Sequence, residues 1–69
     1  MNSAYDQHVL ANVFMQAVEN EDLLAKKYKM YSKELKDRDF QDMLNGFREM
    51  SESHISLLKD IMIKLNIQR

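Results

Sequence analysis

Cysteine and proline are absent from this chain of 69 residues, and glycine occurs once, at Gly46. Without cysteine there is no disulfide, no thiolate zinc centre and no thiol nucleophile. Without proline, and with a single glycine, the residues that normally interrupt helices are almost missing. An excess of either charge is missing too: 10 basic residues stand against 11 acidic ones, for a net charge of −1. That balance supplies no electrostatic pull toward nucleic acid or an anionic membrane, so neither is expected as a partner. No apolar run approaches the roughly 18 residues of a membrane span. The opening stretch "MNSAYDQHVL" lacks a basic segment followed by an apolar one, so no secretory signal is expected and the cytoplasm is the default location.

What is present favours helix: Met, Leu, Lys, Glu and Ala recur along the chain. The reading is all-α and a single domain, since a chain this short is near the lower limit for burying an adequate core alone. Ser3 and Asp6 have capping-box spacing and mark a helix start. Apolar and aromatic residues then recur at Leu10, Phe14, Ala17, Leu24, Tyr28, Tyr31 and Leu35, on one helical face. The charged run "KELKDRD", residues 33–39, breaks the pattern, and Asp37 or Asp39 can cap a second helix. Its stripe is Phe40, Leu44, Phe47, Met50, His54, Leu58, Ile61 and Leu65. The spacing predicts one helix over about 3–35, a turn over about 36–39 and a second helix over about 39–66. The acidic "ENED" at 19–22 is the weakest point; a break near Asn20 would make three helices, but the stripe keeps its phase across it.

The two stripes mirror one another. Residues whose numbers sum to 75 pair Leu10 with Leu65, Phe14 with Ile61, Tyr28 with Phe47 and Leu35 with Phe40. That symmetry predicts an antiparallel two-helix hairpin with a short turn. The same sum pairs Glu21 with His54, each placed within its helix's apolar face near mid-length. An ionised carboxylate is costly to bury unless paired, coordinated or neutralised, and His54 is the nearest partner. One hairpin cannot cover two long apolar faces, so it is expected to dimerise into a four-helix bundle. Val13, Val18, Ile55, Leu57 and Met62 flank the stripes at the open end and are the expected dimer interface. Gly46 and Ser53 lie seven residues apart beside the second stripe. They mark either a close helix approach or, for Gly46, a tolerated substitution costing about 1 kcal/mol.

The segments "ENEDLLAKKYKMYSKEL" and "FQDMLNGFREMSESHISLLKDI", joined by an Asp-containing turn, resemble half of a ferritin-like protein. Rubrerythrin-like domains and small two-helix proteins related to spore coat protein F are the nearest kinds, and residues 14–62 carry the resemblance. In metal-binding members the first helix supplies a glutamate with a tyrosine seven residues on, matched here by Glu21 and Tyr28. The second helix supplies Glu-x-x-His; the matching "SESH" keeps His54 but has Ser51 in place of the glutamate. The resemblance thus implies a ferritin-like fold, with a spore coat as an alternative setting to the cytoplasm.

Two readings of Glu21 and His54 follow. They form a hydrogen-bonded pair that fixes helix register. Or they are half of a reduced metal site for iron or zinc, completed by the same two residues of a second copy. Tyr28, Tyr31 and Phe47 read as packing near the turn, the six methionines as gap-fillers, and His8 as a surface residue. In "KKYKMYSKELK" the tyrosines turn inward and the lysines outward, as a solvated helix face requires. No nucleophile–base–orienter set and no phosphate loop is visible. The expected function is therefore a non-enzymatic assembly or scaffold module, with a homodimer and other proteins as its partners. The alternative is a ferritin-like metal protein for iron or zinc handling or peroxide reduction.

Overall fold

The computed structural model describes residues 3–67. Among them the chain forms two antiparallel helices and no strand: α1 over Ala4–Glu34 and α2 over Arg38–Lys64. At about 1.5 Å per residue, their 31 and 27 residues make rods of roughly 46 and 40 Å. The hairpin extends 51 × 15 × 13 Å. α1 continues unbroken through Asn20.

Each end has a local cause. The Ser3 hydroxyl accepts a 3.0 Å hydrogen bond from the Asp6 amide, and the Asp37 carboxylate accepts one of 3.1 Å from the Phe40 amide. Both N-cap residues are extended, as capping geometry requires. Leu35, Lys36 and Asp37 make the turn, and the Gln41 side-chain amide donates to the Leu35 carbonyl across it. α2 ends differently. Asn66 takes the left-handed conformation (φ 56°), the Asn66 amide bonds the Ile63 carbonyl, and the Ile67 amide bonds the Met62 carbonyl at 2.8 Å. This is a Schellman closure with asparagine in the position glycine usually fills. It folds Ile67 back onto Met62 and Val18, and the three form the buried cluster at the open end.

The helices meet along a seam of alternating three- and four-residue steps. On α1 it runs through Ala11, Phe14, Val18, Glu21, Ala25, Tyr28, Ser32 and Leu35; on α2 through Gln41, Leu44, Arg48, Ser51, Ile55, Leu58 and Met62. All are buried or half-buried. The repeat is that of a coiled coil, in which side chains of one helix seat between those of the other. Small residues recur along it, with Ala25, Ser32 and Ser51 buried. Small side chains let the two backbones approach closely.

This seam lies to one side of the stripes expected from the largest apolar residues. Leu24, Tyr31, Phe40, Phe47, Met50 and Leu65 belong to those stripes, yet each is exposed in the hairpin. The expected interface set is also redistributed. Val18 and Met62 are buried in the hairpin's own core, and the half-buried Ile55 packs against them. Val13 and Leu57 remain on the surface.

Candidate functional site

α2 carries a second regular stripe beside its seam. Phe40, Met43, Phe47, Met50, His54, Leu57 and Ile61 follow the same three- and four-residue steps. All but the half-buried Ile61 are exposed, Met50 and Leu57 each at 57%. α1 contributes one row to the same side: Leu10, Ala17, Leu24 and Tyr31, each seven residues from the next. The two helices' rows meet in a shallow groove of about 220 Å³ lined by Glu21, Leu24, Tyr28, Phe47, Met50, Ser51 and His54. In an antiparallel pair, residues flanking the seam on one side of each helix share a face, and the groove lining shows that these do.

The groove holds the pair singled out from the sequence. His54 Nδ1 and Glu21 Oε2 lie 3.0 Å apart within one chain. Glu21 occupies a seam position and its side chain is 24% exposed; His54 sits one step outside the seam and its side chain is 53% exposed. The pairing expected from residues summing to 75 is therefore formed, but the imidazole is open to water in the single hairpin. Beside it Tyr28 and Phe47, another pair of that sum, have ring centroids 5.6 Å apart at a tilted angle of 58°. That is a favourable offset geometry for two aromatic rings. Ser51, where a glutamate would complete Glu-x-x-His, is buried at 4% exposure and lines the groove floor.

As chemistry this site is sparse. One carboxylate and one imidazole are two ligands, and among the described residues no group of three or more His, Asp or Glu side chains is placed to hold a metal ion. A second depression of about 250 Å³ lies at the open end between Met15, Val18, Lys59, Met62, Ile63 and Ile67. It is apolar apart from Lys59 and continues the core cluster. Two further ion pairs, Lys26 with Asp22 and Arg38 with Asp42, are exposed pairs one helical turn apart. Such pairs contribute little beyond helix support. Among the described residues no helix is long and apolar enough to cross a membrane.

Comparison with known protein families, curated proteins and solved structures gives no match for this chain.

Sequence reasoning placed Glu21, His54, Phe47 and Met50 on one side of the hairpin but took that side for the interior. It missed Met43 and Ile67. The signal for Met43 was present: 40, 43, 47, 50, 54, 57 and 61 form an unbroken heptad series.

Proposed function

We propose that this chain is a non-enzymatic helical assembly module, and that its working surface is the apolar face of α2 with the adjoining row of α1. One observation carries the reading: α2 has two parallel heptad stripes, of which the hairpin uses one. A surface helix of a monomer needs a single apolar stripe, with polar residues opposite. A second stripe of the same period is what a helix packed on two neighbours requires, as in a four-helix bundle. Six large side chains about half exposed, together with the half-buried Ile61, leave on the order of 700 Å² of mainly apolar surface, above the few hundred Å² usual for a monomer. Homodimerisation into a four-helix bundle is the simplest assembly of this kind; other proteins are the remaining class of partner. A coat-type scaffold, in the cytoplasm or on a spore, is the setting that the ferritin-like resemblance adds.

The 3.0 Å approach of His54 to Glu21 supports a second reading, a shared iron or zinc site completed by another copy. One sample separates the two. Protein expressed in medium supplemented with iron and zinc is taken to sedimentation equilibrium at micromolar concentration, and its metal content is measured. The assembly reading expects a species heavier than the 8.2 kDa chain without bound metal. Stoichiometric metal, lost together with the assembly on chelation, would establish the second reading. A folded, inert monomer would sink both.

A further inference from the structure

Resting on the assembly reading, we infer that the partner is a second copy of this chain, and that the two copies meet α2 against α2, antiparallel, about a two-fold axis at Met50. A two-fold contact must be self-complementary: the same patch meets itself with its order reversed. The exposed stripe of α2 meets that condition. Reversed about Met50, it sets Phe40 against Ile61 of the second copy, Met43 against Leu57, Phe47 against His54, and Met50 against Met50. Three of these four pairings are wholly apolar, and the fourth lays an aromatic ring beside the imidazole. The opposed directions also align the helix dipoles favourably.

The choice of α2 over α1 as the central contact follows from width. α2 presents two adjacent apolar rows, one of Phe40, Phe47 and Ile61 with His54, the other of Met43, Met50 and Leu57. α1 presents one, because its next row is Val13, Asn20, Lys27 and Glu34. Seating side chains between those of a neighbour takes two rows on each helix, and α2 of a second copy supplies them. α1 then lies over α1, its single row closing the edge.

Gly46 is a second and independent observation. Nothing in the hairpin requires it: its φ is not positive, and a Cβ built there meets no atom within 4 Å. A helix-interior glycine is nonetheless about 1 kcal/mol worse than alanine. Gly46 and Ser53 flank the far edge of the exposed stripe, and reversal about Met50 brings Gly46 of one copy beside Ser53 of the other. The hairpin's own seam uses Ala25, Ser32 and Ser51 in the same way. The area is also of the right order. A face about 40 Å long and roughly two helix diameters wide gives on the order of 800 Å² per copy, matching the ~800 Å² of a standard stable interface.

The arrangement bears on metal as well. The two His54 backbones fall either side of the axis, separated by roughly 12 Å along the helix direction at about 1.5 Å per residue. One ion with ligand bonds of about 2 Å would need both imidazoles to reach inward across that span.

Because the chain contains no cysteine, single introduced cysteines test the geometry directly. Under mild oxidation Met50→Cys should give mostly disulfide-linked dimer. Met43→Cys and Leu57→Cys should each stay monomeric on a denaturing gel and cross-link when mixed. Gly46→Leu should keep its helix content, since the hairpin leaves the space open, while its dimer dissociation constant rises at least tenfold. A dimer in which Met50→Cys fails to cross-link, or in which Phe40→Cys cross-links to itself, overturns this arrangement and leaves the assembly reading intact. A wild-type chain that is monomeric alone and associates only with a different protein also overturns it and leaves that reading intact. A wild-type chain that is monomeric and binds nothing overturns both.

Discussion

Arg48 occupies a seam position on α2, and its Nε is buried without a hydrogen-bond partner. A buried unsatisfied donor costs about 1–3 kcal/mol, and the long aliphatic stem recovers part of that by packing. Methionine has a comparable unbranched shape and no donor. Arg48→Met is therefore expected to raise stability by about 1 kcal/mol in chemical denaturation at fixed protein concentration. A loss of similar size would show instead that the guanidinium makes an ion pair that matters. The Glu21–His54 contact was legible in the sequence because a carboxylate and an imidazole lie at matching levels of two mirrored helices. The exposure of His54 was not, because small seam residues such as Ala25 and Ser51 give almost no hydropathy signal. Large residues such as Phe47 and Met50 give a strong one without saying which neighbour they meet. Arg48 was missed for the same reason: a charged residue reads as solvated until its helix is rotated into place.

At the scale of elements, the hairpin, its short turn and the cap residues follow from local chemistry. Ser3 and Asp37 cap because a short oxygen-bearing side chain can reach the free amides of a first helical turn. Asp37 matters more for the fold, since it starts α2 immediately after the turn and fixes the entry of its seam. Asp37→Ala is expected to cost about 1 kcal/mol and Asp37→Asn only a few tenths, as read from paired urea midpoints. Equal effects of the two would mean that charge, not the hydrogen bond, carries the contribution. The α2 terminus was not legible. Asparagine at a left-handed position is much rarer there than glycine, and only the backbone shows that Ile67 turns back to cover Met62 and Val18. The direction of the seam was equally hidden. Two stripes of the same period lie one residue apart, the apolar 40–61 and the mixed 41–62 with its Gln41, Arg48 and Ser51; they overlap on a helical wheel, and packing alone decides which of them the hairpin buries.

The whole molecule is a thin rod whose buried apolar residues among those described are Val18, Ala25, Met62 and Ile67. A two-helix rod of this length orders nearly all of its backbone, and each ordered residue costs about 1–2 kcal/mol of conformational entropy. Four buried apolar residues and a half-buried seam are little to set against that. Small chains without a disulfide or a metal commonly gain the missing stability by oligomerising. If folding and pairing are coupled in this way, stability depends on protein concentration, because dilution favours the dissociated, unfolded chains. A tenfold dilution changes the balance by about 1.4 kcal/mol per dimer. With an unfolding entropy of about 2.1 cal/mol/K per residue over two chains of 69 residues, the melting temperature should fall by about 5 °C for each tenfold dilution. Circular dichroism melts between 2 and 200 µM would cover roughly two decades and so about 10 °C. Phe47→Glu places a carboxylate in the middle of the exposed face, so it should lower the melting temperature most at high concentration and flatten its dependence on dilution. A melting temperature independent of concentration in the wild-type chain would mean that the hairpin is stable by itself, and the second heptad stripe of α2 would then have no part in its folding.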